Sequence, residues 1–294
     1  MPLTVVFIYF ACEVCHLKMS QLPLYSHEKE ENLLGEGSFG CVYTTSCHQH
    51  KKQALKKFYS HSTFVHESEM AIKTKDLRGT VKVKKSFISE GNGYLLMEYC
   101  DTDLFTFLRD KNLSEMEALA IFYSICEAVA ELHSHNVAHL DLKLENILLT
   151  PNAEWKLCDF GSARSFIAGK TQVLGSRTGT PGYCAPEIMV NRSAHPEKAD
   201  SWSLGIILHA LLLHCFPFHN FQEEGPCYAN FSLNFVYSSR LSDTSKQMLY
   251  NLLSLDANVR LSPADVLLYQ AGAKGKKFNS KIRKIKKIFH PKMA

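Results

Sequence analysis

The chain has 294 residues, 46% of them apolar and 21% charged, which excludes a largely disordered protein and suffices for one large domain or two lobes. The net charge of +4 is uneven, because from Lys274 onward there are nine basic residues and no acidic one, against 24 basic and 29 acidic residues before it. Overall charge therefore gives no support to nucleic-acid binding, which would have to rest on this tail alone.

The first part of the chain, residues 1–29, is predicted to be an N-terminal extension. Its apolar start lacks the basic region of a signal peptide and is too short to cross a bilayer, and no integral membrane segment is expected elsewhere. The ten cysteines are scattered, which is typical of reduced thiols and favours a cytoplasmic or nuclear location. Cys12, Cys15 and His16 match C-x-x-C-H, but no second cysteine pair completes a zinc site, so no haem or zinc role is expected.

Residues 30–100 are predicted to form a β-rich lobe, because short apolar runs alternate with turn residues. A G-x-G-x-x-G segment near its start lets backbone N–H groups approach phosphate oxygens. The same spacing opens dinucleotide-binding folds when a helix follows. Here residues 41–45 continue as a β-type run, so the segment is predicted to join two strands and to bind phosphate. The alternative is a plain glycine hairpin that binds no ligand. The candidate nucleotide-binding residues are Leu34, Gly35, Glu36, Gly37, Ser38, Phe39, Gly40, Cys41 and Val42.

Lys56 is the candidate for a cation that contacts phosphate. It ends the segment A-L-K, sixteen residues after Gly40. A lysine on the strand after a glycine loop can direct its ammonium group at phosphates. The alternative is a surface lysine, because Lys51, Lys52 and Lys57 are close by.

A carboxylate is expected to hold this lysine, and a helix predicted over residues 62–77 carries two candidates. Glu67 and Glu69 are separated by about 200° around the helix, so only one of them can face inward. Glu69 is preferred, because it shares a face with the apolar residues Val65 and Ile72.

The pattern changes to helical after Asp101, which predicts a larger helical lobe over residues 101–270. Ser114 begins a capping box before an apolar run with helical spacing. The run 199–215 is apolar nearly all round and predicts a buried helix. Two further helices are predicted over 245–255 and 262–269.

Two polar segments of this lobe carry the strongest signal. Residues 139–146 read H-L-D-L-K-L-E-N, and residues 158–161 read C-D-F-G. Their order and spacing resemble the H-R-D-x-x-x-x-N and D-F-G segments of eukaryotic-type protein kinases. The resemblance covers about residues 30–270, and the compact lobes and unusual termini resemble divergent, virus-encoded members.

The resemblance implies an α+β fold with two lobes and a reaction that transfers the γ-phosphoryl group of Mg-ATP to protein substrates. Asp141 would accept the hydroxyl proton, and Lys143 would lie near the γ-phosphate. Asn146 and Asp159 would hold Mg²⁺ through oxygen atoms. Lys143 and the segment 179–187, G-T-P-G-Y-C-A-P-E, resemble the branch that phosphorylates serine and threonine.

The resemblance also implies an adenine site and a set of structural residues. Residues 97–100 resemble the hinge, where backbone groups of Glu98 and Cys100 would contact adenine. Apolar residues would enclose the base, with ordinary core packing as the alternative for them; they are Leu34, Val42, Ala54 and Leu148. Structural roles follow for Thr180 near the catalytic base, for Glu187 paired with Arg260, and for Asp200 as an anchor of the catalytic loop, which is residues 139–146.

Two residues depart from the family pattern. Leu140 stands where the family usually has the arginine that meets an activation-loop phosphate, so little dependence on phosphorylation of Ser176 or Thr178 is expected. Leu144 replaces the usual proline, which is expected to be tolerated. A pseudokinase that acts as a scaffold is the alternative function, and a small-molecule kinase is a third.

The basic tail, residues 271–294, alternates Lys and Arg with Ile282, Ile285, Ile288 and Phe289. On a helix these apolar residues would lie on one side. The predicted partners of the tail are anionic lipid or nucleic acid, and the tail could also serve as a nuclear targeting signal. The alternative is a solvated terminal extension without a partner.

Overall fold

The computed structural model describes residues 33–46, 52–174, 178–191, 193–217 and 241–272. The predicted N-terminal extension with its C-x-x-C-H motif, Ser176 and nearly all of the basic tail lie outside the described residues. The described chain divides into two units. The smaller one runs to Asp76 and resumes at Thr80–Asp101, and the larger one contains residues 77–79 and everything from Thr102 onward.

The smaller unit is an antiparallel sheet of five strands with one helix. The strand order is β1-β2-β3-β5-β4. The strands are β1 (Leu33–Gly37), β2 (Gly40–Ser46), β3 (Lys52–Phe58), β4 (Val83–Ser89) and β5 (Asn92–Glu98). The helix, α1, spans His61–Thr74 and follows β3 directly. The glycine-rich loop therefore joins two strands, as the sequence predicts.

Close packing and strand register fix the start of this sheet. A Cβ atom at Gly40 would collide with the carbonyl oxygen of Lys57 on the neighbouring strand, so only glycine fits there. In the β2–β3 pair Val42 lies opposite Lys56. Below the sheet a small core contains Phe58, Phe64 and Leu95, which packs α1 against β5.

The larger unit is mainly helical. Its helices are α2 (Leu104–Arg109), α3 (Glu115–Ser134), α4 (Pro186–Asn191), α5 (Pro196–Leu213), α6 (Asp243–Leu252) and α7 (Pro263–Gly272). Its strands are β6 (Thr102–Asp103), β7 (Val137–Ala138), β8 (Ile147–Leu149), β9 (Trp155–Leu157), β10 (Arg164–Ser165), β11 (Gln172–Val173) and β12 (Ser193–Ala194). They form one sheet of order β6-β8-β9 and the pairs β10-β7 and β11-β12.

Helix α5 is the centre of the larger unit, and it packs against α3 and α6. Its side chains are buried on all sides, including Trp202, Leu204 and Ile206 with no exposed surface. The helix begins three residues before the predicted start, because Pro196 suits the first helical turn. It ends at Leu213, because His214 adopts a left-handed conformation with φ of +55°. No helix in the described ranges is long and apolar enough to span a bilayer.

The predicted capping box at the start of α3 is confirmed. The Ser114 hydroxyl accepts a hydrogen bond from the Glu117 backbone N–H, and the Glu117 carboxylate accepts one from the Ser114 backbone N–H. Glu115 in the same turn accepts hydrogen bonds from Ser242 and Ser245, the start of α6. Burial opposes ionisation of Glu115, but these hydrogen bonds lower its pKa below the ordinary value.

Replacing Ser114 with Ala should lower the free energy of unfolding of the larger unit by about 1 kcal/mol, because the Glu117 backbone N–H loses the hydroxyl that accepts its hydrogen bond. Urea unfolding followed by tryptophan fluorescence measures this, since both tryptophans of the chain, Trp155 and Trp202, lie in that unit. The matched control is Ser124→Ala in the middle of α3, where the hydroxyl only donates to the carbonyl of Ala120. Equal losses in the two variants would contradict the role of the cap.

Candidate active site

Asp141 lies at the centre of a polar cluster in the larger unit. Its side chain is 8% exposed, on a loop between β7 and β8. The Thr180 hydroxyl donates a hydrogen bond to Asp141 Oδ1 at 2.6 Å. Lys143 Nζ donates to Thr180 Oγ1 at 2.9 Å and lies 3.0 Å from Asp141 Oδ2. Thr180 and Lys143 thus fix the Asp141 carboxylate in one orientation, and Lys143 gives it a cation as a neighbour.

Two neighbouring segments carry the oxygen-bearing side chains that the family resemblance assigns to a metal, Asn146 before β8 and Asp159 after β9. Asn146 Nδ2 donates to the Asp141 carbonyl at 2.9 Å and to its Oδ2 at 3.3 Å. The amide nitrogen is therefore committed to Asp141, and the amide oxygen is the atom suited to a cation. The Asn146 carbonyl in turn accepts from the Cys158 backbone N–H at 3.0 Å, next to Asp159. Asp159 has a φ of +63°, and its carboxylate accepts from the Gly161 backbone N–H.

His139 connects these two segments and was not assigned a role from the sequence. Its Nδ1 accepts a hydrogen bond from the Asp141 backbone N–H at 3.3 Å, so the ring hydrogen resides on Nε2. Nε2 lies 2.9 Å from the Cys158 carbonyl and donates to it. The His139 side chain thereby sets the spacing between the loop that carries Asp141 and the segment that carries Asp159.

The donor set fits Mg²⁺ rather than a transition metal. One amide oxygen and one carboxylate, from Asn146 and Asp159, are hard oxygen ligands, and Mg²⁺ is usually held by one or two such groups together with substrate phosphates. Among the described residues no group of three or more His, Cys, Asp or Glu side chains could form a metal site by itself. In sites of this kind, substrate phosphates and water supply the remaining Mg²⁺ ligands.

Asp200 on α5 anchors the backbone of the catalytic loop. It is fully buried, and its carboxylate accepts from the backbone N–H groups of His139 at 2.8 Å and Leu140 at 2.7 Å. Leu140 has a φ of +62°, a conformation that costs a non-glycine residue roughly 1–2 kcal/mol. His133 Nε2 lies 2.8 Å from the same carboxylate and was missed as a functional contact in the sequence. A polar histidine on the otherwise apolar face of α3 was the available signal.

Glu187 and Arg260 form a bidentate ion pair with distances of 2.7 and 3.1 Å. The Arg260 side chain has no exposed surface and also donates to the carbonyls of Ser254 and Lys198. Its guanidinium group lies 5.2 Å from the centroid of the Trp202 ring. The pair therefore ties the segment that begins α4 to the loop before α7.

Tyr183 supports the catalytic loop from the segment that also carries Thr180, and no role was assigned to it from the sequence. Its hydroxyl accepts from the Leu144 backbone N–H at 3.4 Å and lies 3.4 Å from a Glu145 carboxylate oxygen. Burial raises the pKa of Tyr183, so the hydroxyl stays protonated and can donate to Glu145. Burial also raises the pKa of the adjacent Cys184 thiol to about 12, so this cysteine stays uncharged.

In the smaller unit Lys56 pairs with Glu67, which corrects the prediction of Glu69. Lys56 Nζ lies 2.9 and 2.7 Å from the two carboxylate oxygens of Glu67, and both side chains are less than 10% exposed. Glu69 is exposed. Glu69 was preferred because it shares a helix face with Val65 and Ile72. That face is not the buried one, because Ile72 is 40% exposed.

The glycine-rich loop forms an exposed hairpin between β1 and β2, with Ser38 and Phe39 in its turn. Space is open beside Gly35 and Gly37, where added Cβ atoms would meet nothing within 4 Å. Tyr59, which the sequence did not indicate, contacts this hairpin from the end of β3. Its hydroxyl lies 2.8 Å from Cys41 Sγ and donates to Glu36 at 2.5 Å. The contact with Cys41, followed by that with Glu36, raises the pKa of Tyr59.

The residues predicted to contact adenine are distributed over both units. In the smaller unit Leu34 lies on β1, Val42 on β2 and Ala54 on β3, and Ala54 is opposite Met97. Leu148 lies on β8 of the larger unit. Cys100 is half-buried, directly after the end of β5.

At the end of β5 the Glu98 backbone N–H already donates to the Lys82 carbonyl at 2.9 Å. The Glu98 carboxylate accepts from the Lys82 N–H at 2.7 Å. A contact of Glu98 with adenine therefore falls to its carbonyl oxygen.

This fold and these side chains define a protein kinase domain, and residues 28–270 match the family model of that domain. The match covers most of the chain, which therefore belongs to the eukaryotic-type serine/threonine protein kinase family. It is 31% identical over 269 residues to serine/threonine-protein kinase ppk16 of Schizosaccharomyces pombe, covering 85% of this chain and 37% of that protein. It is 32% identical over 257 residues to the cell cycle serine/threonine-protein kinase CDC5/MSD2 of Saccharomyces cerevisiae, covering 81% and 35%.

A probable serine/threonine-protein kinase CCRP1 of Zea mays is 30% identical over 268 residues, which cover 85% of this chain and 42% of that protein. The chain thus spans less than half the length of these curated relatives. The comparisons and the described units confirm the predicted α+β kinase fold, with a β-rich smaller part and a helical larger part.

Proposed function

We propose that this chain transfers the γ-phosphoryl group of ATP to serine or threonine hydroxyls of protein substrates, with Asp141 as the catalytic base. The observation that carries the proposal is the hydrogen-bonded arrangement of Asp141, Lys143 and Thr180. A carboxylate fixed beside a cation can take a proton from a hydroxyl group while the cation balances charge on the phosphoryl oxygens.

The reaction follows from these groups. The acceptor oxygen of the substrate bonds to the γ-phosphorus while its hydroxyl proton passes to the Asp141 carboxylate. The bond between the γ-phosphorus and the bridging β,γ-oxygen breaks, and ADP leaves with the bonding electron pair. Lys143 lies within 3.0 Å of the base and stabilises the negative charge of the transferred group.

Asn146 and Asp159 would hold Mg²⁺, with the Asn146 amide oriented by its bonds to Asp141. When bound, Mg²⁺ neutralises charge on the β- and γ-phosphate oxygens. The Lys143–Thr180 contact supports serine and threonine as acceptors, and the relatives reported above are named as serine/threonine kinases.

In the smaller unit Lys56 would bind phosphate oxygens of ATP, because Glu67 holds its ammonium group in a buried position. The open space beside Gly35 and Gly37 suits the close approach of phosphates to the backbone. The adenine ring would contact the carbonyl of Glu98, backbone atoms of Cys100, and the apolar side chains of Leu34, Val42, Ala54 and Leu148.

Incubation with γ-labelled ATP and a mixture of proteins tests this function. We expect label on phosphoserine and phosphothreonine, and none when EDTA removes Mg²⁺. Label confined to phosphotyrosine, or no label above that of a heat-inactivated sample, would overturn it. A cytoplasmic or nuclear location, and contact of the basic tail with anionic lipid or nucleic acid, stay predictions from the sequence.

Activity should depend little on phosphorylation of the segment after Asp159. Leu140 is buried and apolar, so no cation stands at this position to meet a phosphate. The segment is instead held by buried Phe166 and Leu174 and by the pairing of β11 with β12. Phosphatase treatment, with removal of phosphate verified by mass spectrometry, should change kcat less than about twofold. A loss of tenfold or more would contradict this expectation.

A further inference from the structure

A cavity of about 570 Å³ lies beside the catalytic loop in the larger unit. This volume is within the range of roughly 300–1,000 Å³ that is typical of ligand sites. Its apolar lining comes from three separate elements: α2, the catalytic loop and the end of α5 with the residues that follow. The apolar lining residues are Phe105, Leu108, Leu144, Ala210 and Phe216.

The cavity is close to the proposed phosphoryl acceptor position. Leu144, part of its wall, is three residues after Asp141, so their Cα atoms are at most about 10 Å apart. Tyr183 joins the two sides, since its hydroxyl accepts from the Leu144 backbone N–H and its ring meets that of Phe216 edge-on at 5.3 Å. An extended peptide rises about 3.3 Å per residue, so a substrate residue about three to five positions from the acceptor can reach the cavity.

Leu144 is one of this chain's own departures from the family pattern, and it shapes the cavity. Its side chain is buried, at 3% exposed, while Phe105, which also lines the cavity, is 43% exposed. An exposed phenylalanine beside a buried apolar wall offers contact area that another apolar group can cover.

The rim of the cavity carries more positive than negative charge. Arg109 and Lys111 are exposed on it, and Asp110 between them is the one carboxylate among the lining residues. The remaining rim residues are Asn112, His214 and Cys215. Because the rim is more basic than acidic, it favours a ligand with a carboxylate and disfavours a ligand with a lysine or arginine side chain.

We propose that this cavity is a specificity pocket that binds a large apolar side chain of the protein substrate, preferably beside an acidic residue. The proposal rests on the proposed kinase activity and adds a substrate class to it. The apolar side chain fills the space between Phe105 and Leu144, and the neighbouring carboxylate lies near Arg109 and Lys111. Substrates with basic residues at that place are selected against.

A positional peptide library tests the proposal. Each peptide carries one central serine or threonine with a single varied residue up to five positions away on either side. We expect one position at which leucine or phenylalanine raises kcat/KM at least about tenfold over alanine, since apolar contacts of one to a few methylene groups give roughly 10- to 200-fold discrimination. With that residue fixed, glutamate next to it should exceed lysine by at least about threefold.

Variants of the cavity residues then test whether this preference for a large apolar residue arises in the cavity. Phe105→Ala removes one wall of the cavity and Cys215→Trp fills it, and each should reduce the preference over alanine to less than about threefold. The matched control is Tyr250→Ala, an exposed aromatic residue on α6 that does not line the cavity, and it should keep the full preference. Lys111→Glu should reverse the choice between glutamate and lysine, whereas Lys84→Glu on the exposed surface of β4 should not.

The outcomes separate the two proposals. If proteins and peptides are labelled but no position prefers a large apolar residue, or the preference survives in both Phe105→Ala and Cys215→Trp, the pocket is refuted and the kinase activity stands. If neither proteins nor peptides are labelled, the kinase function itself is refuted. Thermal melts of each variant establish that it is folded. Phe105→Ala enlarges the cavity and Cys215→Trp fills it, so loss of the preference in both variants cannot come from one shared folding defect.

Discussion

Replacing Asp141 with Asn is expected to lower kcat by between about 100-fold and 10,000-fold, the usual contribution of a general base. Asparagine has nearly the shape of aspartate, and its amide oxygen can still accept the hydrogen bond from Thr180. It cannot take up the proton that the acceptor hydroxyl must lose. Because the substitution leaves the proposed phosphate ligands in place, KM for ATP should stay within about threefold. Steady-state transfer to a peptide substrate measures both constants.

The control for this variant is Asp243→Asn, the same chemical change at a fully exposed position on α6. Its kcat should equal that of the unchanged protein. The melting temperatures of both variants are also measured, to establish that each variant is folded. If Asp141→Asn retains more than a tenth of the activity while it is folded, another group takes the proton and the proposed mechanism is wrong.

Features that depend on residues close together in the sequence were predictable. The capping box needs only Ser114 and Glu117, and their separation alone determines that they meet on a helical turn. The glycine loop between two strands followed in the same way, from the glycine spacing and the β-type residues after it. The buried helix α5 was predictable because apolar residues occur on all its faces.

Contacts between distant residues were predictable only through the family resemblance. The Glu187–Arg260 pair spans 73 residues, and its partners have no sequence pattern of their own that joins them. His133 and Tyr183 were not found, because their roles follow from the neighbours that the fold supplies. One meets Asp200 across 67 residues and the other meets Leu144 across 39 residues.

The prediction of Glu69 was wrong because the buried face of α1 contains polar as well as apolar residues. That face contains Glu67, Ser68 and Thr74 together with apolar residues, so hydrophobic periodicity does not reveal it. Each polar group has a hydrogen-bond partner, and for Glu67 and Ser68 that partner lies on a neighbouring strand. Glu67 meets Lys56, Ser68 lies 2.9 Å from the Ser86 hydroxyl, and Thr74 donates to a backbone carbonyl. Buried polar groups with partners cost little, so an amphipathic pattern is not required.

Glu67→Gln should therefore damage ATP use, and Glu69→Gln should not. The first change removes the Glu67 carboxylate that accepts two hydrogen bonds from the buried Lys56 ammonium, and removing one partner of a buried ion pair costs about 3–5 kcal/mol. If about 1.4 kcal/mol of this cost weakens the contact between Lys56 and ATP, the affinity falls tenfold. We therefore expect kcat/KM for ATP to fall at least about tenfold. The second change makes the same substitution on the exposed side of the same helix and should alter kcat/KM less than about twofold.

Kinetics at varied ATP concentration, together with thermal melts, distinguish the possible results. A loss in Glu67→Gln that appears in kcat/KM for ATP, and that Lys56→Ala reproduces, would establish that the two residues act as one unit. In the double variant Lys56→Ala with Glu67→Gln the losses should then be far from additive, because the pair is broken once by either change. Equal losses in Glu67→Gln and Glu69→Gln, or additive losses in the double variant, would contradict a pair that positions Lys56 for phosphate binding.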